Sequence, residues 1–162
     1  GIVERTGARV AKVRVGDRVA LTFGSCGACT NCHEGHPSHC ANSGPLQFGG
    51  ARLDGSATFV VPPGETPVRG AFFQQSSFAT HALATERNVV RVPDEFPLEL
   101  AGPLGCGIQT GAGAVLNTLA VPAGARLAVF GVGSVGLSAV MAAKLAGCLQ
   151  VIAVDVDPAR LE

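Results

Sequence analysis

The sequence predicts a mixed fold: a small β-rich domain followed by the start of an α/β domain. Three observations carry this. Residues 1–92 alternate short apolar runs with glycine and proline turns, a cysteine-rich loop interrupts those runs, and a strand–helix–strand pattern closes the chain. Residues 2–5 and 9–15 alternate apolar with charged side chains, and Val13, Val15 and Val19 surround a Gly16-Asp17 turn, a hairpin-like signal. Residues 18–23 predict a mostly apolar strand leading into the cysteine loop. Gly44-Pro45, Gly49-Gly50, Asp54-Gly55 and Pro62-Pro63-Gly64 punctuate the next stretch, with only residues 58–61 strand-like between them. Residues 78–84 and 88–92 predict two further strands, ended by Pro93-Asp94. Such short strands fold as an irregular barrel or sandwich.

The character changes near Pro97. Residues 98–119 are apolar but glycine-broken, enough for one or two helices. Residues 126–130 read as a buried strand and 135–146 as a helix closing on Gly147. Residues 150–154 read as a second buried strand, and Pro158 starts a new helix. Two parallel strands joined by a crossover helix make one βαβ unit. One such unit leaves sheet edges and a sheet face uncovered, and Gly1-Ile2-Val3-Glu4 reads as the interior of a strand, so the sequence reads as truncated at both ends.

Composition excludes several classes. The 162 residues carry no net charge and no Lys/Arg-rich block, which leaves a nucleic-acid groove without electrostatic support. The longest weakly polar stretch, 127–149, is broken by glycines and carries Lys144, so no membrane span is predicted. Hydrophobic residues make up 47%, enough to build a core without disulfide staples, and no signal peptide is visible. The expected compartment is the cytoplasm, with the six cysteines reduced.

Four of those cysteines are spaced Cys26-Gly-Ala-Cys29-Thr-Asn-Cys32, then seven residues to Cys40. Four thiolates so close in sequence can close a tetrahedral shell around zinc, leaving no position for substrate. An iron–sulfur run commonly ends with a three-residue gap and a proline after the last cysteine, whereas here Ala41 follows a longer gap. A redox pair needs only two of the four. His33, His36 and His39 crowd the loop and can replace a ligand, but four cysteines already fill the shell, so they read as solvated loop residues.

Gly131-Val132-Gly133-Ser134-Val135-Gly136 follows a predicted strand and opens a helix, and Asp155 ends the next strand about 20 residues on. This is the dinucleotide fingerprint in its required setting. Gly131 allows the tight turn, Gly133 lets backbone approach a pyrophosphate, and Gly136 lets helix and strand pack closely. Asp155 can accept hydrogen bonds from the adenosine ribose hydroxyls and repels a 2′-phosphate, which favours NAD over NADP. Cys106 stands between Gly105 and Gly107 at the start of a predicted helix, with Thr110 one turn on. Cys148, beside Gly147, reads as a small buried hydrophobe.

Taken together, Gly16-Asp17-Arg18-Val19, the Cys26/Cys29/Cys32/Cys40 lobe, Leu104-Gly105-Cys106-Gly107 with Thr110-Gly111, the glycine turn and Val154-Asp155 occur in one order. The chain thereby resembles the zinc-dependent medium-chain alcohol dehydrogenases along essentially its whole length. Phe48-Gly49-Gly50, residues 75–80 and residues 105–114 are most similar to the aryl (benzyl) alcohol dehydrogenase branch. The resemblance implies a partial GroES-like catalytic domain over 1–107 with a structural zinc lobe at 24–42, and the opening of an NAD-binding Rossmann domain over 108–162. It implies structural zinc on Cys26, Cys29, Cys32 and Cys40, and makes Cys106 one ligand of a second, catalytic zinc. Thr110 lies beside the nicotinamide, and Gly131, Gly133, Val135, Gly136 and Asp155 bind NAD. The implied reaction takes an alcohol to its aldehyde, in a homodimer or homotetramer. The remaining ligands of the catalytic zinc lie upstream of Gly1 in that family and later sheet strands lie beyond Glu162, so these residues alone are expected to be inactive. Another zinc dehydrogenase of the superfamily, acting on a glutathione adduct or a polyol, and a non-catalytic zinc-stabilised binding module are the competing readings.

Overall fold

The computed structural model describes residues 1–66 and 68–162, which form two units, Gly1–Leu98 and Glu99–Glu162. In the first, β1 (Val19–Leu21) is followed by the short helices α1 (Thr30–His33) and α2 (Ser43–Phe48), and the chain returns to β2 (Val89–Arg91). β1 and β2 pair antiparallel with Ala20 opposite Val90. The pairing continues past both strand ends, where the Thr22 N–H donates to the Asn88 carbonyl (2.9 Å) and the Val92 N–H to the Arg18 carbonyl (2.8 Å). Val13, Val19 and Val89 form the buried centre, with Val3, Val10 and Leu21 packed against it. Residues 85–88 make a tight turn in which Thr85 and Asn88 cap each other, and Asn88 is fully buried. The Gly16-Asp17 turn forms as expected, with Gly16 left-handed at φ +92° and the Asp17 carboxylate accepting the Arg14 N–H.

Several expected strands are absent among the described residues. Of residues 2–5 Ile2 makes a single bridge to Arg18 and Val3 exchanges backbone hydrogen bonds with Asp17 and Gly16, without a continued strand, and residues 9–15, 58–61 and 78–84 are irregular. For residues 58–61 and 78–84 the reason lies in burial. Val60, Phe78 and Leu83 are largely or wholly exposed, and an extended segment becomes a strand only when a neighbour takes up its backbone groups and one face is buried. Alternation of apolar and polar residues signals a half-buried strand, but it does not supply the partner.

In the second unit the expected bounds of both strands and of the helix between them hold to within a residue, but the strands expected to be buried are mostly exposed, because this unit covers only part of their faces. Helix α3 (Gly107–Gly113) runs on into a wider turn, Ala114–Thr118, and then β3 (Arg126–Phe130), α4 (Ser134–Leu145) and β4 (Gln150–Val154) form a βαβ unit. β3 and β4 are parallel, in register from Arg126 opposite Gln150 to Phe130 opposite Val154. Val115, Ala142 and Ala143 form the core, on which Leu127, Val151 and Cys148 pack, so Cys148 behaves as a small hydrophobe. Helix α4 stops at Gly147, left-handed at φ +78°, where the next N–H, that of Cys148, turns back to the Ala143 carbonyl (3.0 Å). The expected last helix is a single turn, Pro158–Arg160, capped by the Asp157 carboxylate. Among the described residues no helix is long and apolar enough to cross a membrane.

Candidate metal centre and nucleotide-binding turn

The four loop cysteines converge. Between β1 and α2 the chain makes tight turns at Gly27 and Gly35, both left-handed, so that short segments of little regular structure fold back on themselves. Cys29 caps α1, Cys32 lies in its single turn, and Cys40 closes the following Pro37–His39 turn. The result places all four Sγ atoms within 4.8 Å of one another, with Cys26 and Cys32 4.0 Å apart. A zinc ion about 2.3 Å from each sulfur requires S···S edges of about 3.8 Å, so the cluster fits the ion with sub-ångström adjustment. None of the cysteines is disulfide-bonded.

Backbone N–H groups already point at these sulfurs. Cys26 Sγ accepts from Ala28 (3.4 Å) and Cys29 (3.3 Å), Cys40 Sγ from Cys26 (3.3 Å), and Cys29 Sγ from Ala41 (3.5 Å). Donors aimed at sulfur stabilise the thiolate. The Cys26 thiol is held down at about 5, chiefly by the Ala28 N–H, and the Ala41 N–H is the main cause lowering Cys29. Burial instead pushes Cys32 up to about 11. A metal binding here therefore meets a Cys26 sulfur already biased toward the thiolate and has to displace the proton of Cys32. His33, His36 and His39 are exposed and stand outside the sulfur cluster, as solvated loop residues.

The second constellation is built from backbone. Parallel pairing brings the ends of β3 and β4 side by side, and Gly131 extends it by donating to the Val154 carbonyl (2.7 Å). Gly131 is left-handed at φ +84°, and a Cβ at Gly136 would lie 1.8 Å from the Gly131 carbonyl oxygen, so only glycine lets α4 start this close to β3. A Cβ at Gly133 would meet nothing within 4 Å, which leaves its surface open. The first turn of α4 has N–H groups without intrahelical partners, and the helix dipole adds positive potential there. These features fit a pyrophosphate.

Asp155 closes the turn. Its carboxylate side chain is 2% exposed, and it accepts hydrogen bonds from the N–H groups of Val132 (2.7 Å) and Asp157 (2.9 Å), with Arg160 at 3.6 Å. The Asp157 and Val132 N–H groups, in that order, hold its carboxyl below the ordinary carboxylate value. The acid thus ties β4 to the glycine turn. Elsewhere in this unit, Cys106 is exposed at the N-terminus of α3, and its carbonyl accepts both the N–H (3.0 Å) and the hydroxyl (2.8 Å) of Thr110. Among the described residues the one group of three or more metal-ligating side chains is the loop quartet, to which Cys106 does not belong.

Residues 1–94 match the alcohol dehydrogenase GroES-like domain. The chain belongs to the zinc-dependent medium-chain alcohol dehydrogenase family. It is 53% identical to a geraniol dehydrogenase of Castellaniella defragrans over 161 residues, 99% of this chain and 43% of that one. Among solved structures, an alcohol dehydrogenase zinc-binding domain protein from Burkholderia ambifaria is 54% identical with a TM-score of 0.93. The benzyl alcohol dehydrogenase of Acinetobacter calcoaceticus is 46% identical with a TM-score of 0.91. Each match takes in 99% of this chain, which spans 43% and 42% of those two structures.

Sequence reasoning missed how this family member joins α3 to α4. Ser138, 2% exposed, donates its hydroxyl to the Ile108 carbonyl (2.6 Å) across the helix pair. A Cβ at Gly111 would lie 2.1 Å from the Val135 carbonyl oxygen, and one at Gly107 3.2 Å from Ser134 Oγ. A serine following the fingerprint and a glycine within a predicted helix were the available signals, but neither names its partner. The structural part played by Asp155 was missed likewise, because sequence spacing suggested only its ligand-facing one.

Proposed function

We propose that this chain is the zinc-lobe and nucleotide-turn portion of an NAD-dependent dehydrogenase. Its substrates are primary alcohols whose carbinol carbon adjoins an aryl or alkenyl group. The observation that carries the reading is the pairing, in one chain, of a converged four-cysteine cluster with a glycine turn closed by a buried carboxylate. The substrate class follows from the relatives: geraniol and benzyl alcohol both place CH2OH beside a π bond. Assembly as a homodimer or homotetramer and residence in the cytoplasm belong to the same proposal.

Cys26, Cys29, Cys32 and Cys40 hold a zinc with a closed shell, which fixes the lobe and takes no part in the chemistry. The first turn of α4 receives the cofactor's pyrophosphate, Gly133 lets it come close, and Val135 contributes to the same surface. Asp155 keeps lone pairs beyond those that accept Val132 and Asp157, and ribose hydroxyls would reach them once Arg160, 3.6 Å away in this structure, gives way, while the carboxylate charge opposes a 2′-phosphate. NAD, when bound, supplies the hydride acceptor. Thr110, anchored through its hydroxyl on the Cys106 carbonyl, would lie beside the nicotinamide, and Cys106 would offer one thiolate to a catalytic zinc. An open catalytic zinc site takes three protein ligands, and Cys106 alone does not make one. These 162 residues by themselves are therefore expected to bind one zinc and to show no turnover.

The test is a substrate and cofactor panel on the full-length zinc-replete protein. Benzyl alcohol and geraniol should be oxidised with NAD at a kcat/KM at least about tenfold above that with NADP, a difference of about 1.4 kcal/mol in transition-state binding. Absence of oxidation, or a preference for NADP, contradicts the reading.

A further inference from the structure

Ser138 is a buried polar residue that neither the fingerprint nor the metal sites use. Its side chain could have turned back to its own helix, as serines in helices often do. Instead it reaches across to the Ile108 carbonyl of α3 at 2.6 Å. The contact sits in a crossing with almost no slack, because a single methyl at Gly111 would strike the α4 backbone at Val135 and Ala139. One turn earlier along each helix, Gly107 faces Ser134 Oγ and the Val135 methyls. The corner carrying the exposed Cys106 thus sits directly against the first residues of α4, where the glycine turn ends.

We propose that Ser138 is a positioning residue for hydride transfer, locking the Cys106–Thr110 corner onto the helix that carries the glycine turn. The inference rests on the dehydrogenase reading above. A nucleotide held on the turn fixes its reactive end relative to α4, whereas Cys106 and Thr110 belong to α3. Their mutual distance is set by the α3–α4 crossing. Close packing of Gly107 and Gly111 limits how near the helices come but permits sliding, while a short hydrogen bond with a defined direction fixes the register. Misplacement by an ångström or less costs far more in rate than in stability.

The test is made on the full-length protein with Ser138→Ala and Ser138→Cys, the second of which keeps a γ atom, somewhat larger, and loses the strong donor. The readouts are NAD affinity, kcat, and the primary deuterium isotope effect with alcohol labelled at the carbinol carbon. Both variants should bind NAD within about twofold of the parent and lose about tenfold in kcat. Their isotope effect should rise, because hydride transfer becomes the slow step. A purely structural role lowers the amount of active protein and leaves the isotope effect where it was. An unchanged isotope effect in both variants, measured against a working parent, overturns the positioning role alone. A parent that oxidises no alcohol with NAD overturns the dehydrogenase reading, and this role with it.

Discussion

The cysteine lobe and the glycine turn are both compact ligand sites, but they are built in opposite ways. The lobe has one turn of helix and no strand, and its four sulfurs are gathered by left-handed glycines and N–H···S bonds. Little apolar burial holds the lobe together: of the four cysteines only Cys40 is buried. The glycine turn rests on a parallel strand pair, a twelve-residue helix and a packed core, and its geometry exists without any ligand. On the proposed reading, one site depends on what it binds. The other is made first and binds afterwards, and each should fail in its own way.

The largest effect is expected in the lobe. Cys29→Ser or Cys40→Ser should abolish zinc binding by the quartet and open residues 24–42 to protease, while the βαβ unit keeps its structure. Metal analysis and limited proteolysis with peptide mapping check this. Next comes Gly136→Ala. With backbone 1.8 Å from the new methyl, α4 must move away from β3, and a loss of about 3 kcal/mol or more is expected, of the size seen for severe overpacking. Thermal unfolding and NAD titration should both register it, and quartet zinc should not.

Asp155→Asn tests the turn through pH. Because the folded-state carboxyl titrates below its ordinary value, the charged form stabilises the fold above the unfolded value of about 4. That contribution disappears as pH falls through the lower folded value. The parent should therefore exceed Asp155→Asn in thermal midpoint near neutrality, and the two should converge in strong acid. The smallest effect is expected at Glu86, whose carboxylate accepts the N–H groups of Ala11 (2.6 Å) and Lys12 (2.5 Å) and is lowered chiefly by the Lys12 bond. Glu86→Gln should lower the midpoint slightly near neutrality and converge with the parent in acid in the same way, without touching zinc or NAD.

The same contrast explains what the sequence made legible. Metal ligands and fingerprint glycines announce themselves because the chemistry demands fixed residue types at fixed spacing. β3 and β4 were legible to the residue because each is a short, continuous apolar run, although the burial expected of them is not seen: only Val129 is buried, and Phe130, Ile152 and Val154 are exposed. Residues 58–61 and 78–84 were misread because alternation is a property of one segment, whereas a strand is a property of two. Ser138 and Gly111 were invisible for the same reason: each matters through a residue about 25–30 positions away, and local pattern carries no such information.

The proposed division between a structural metal centre on the quartet and a separate ligand at Cys106 is tested most directly by counting zinc in residues 1–162 and in two variants. The unaltered chain and Cys106→Ser should each hold one zinc that resists dialysis, and Cys29→Ser should hold none. Zinc retained by Cys29→Ser, or lost from Cys106→Ser, would contradict that division.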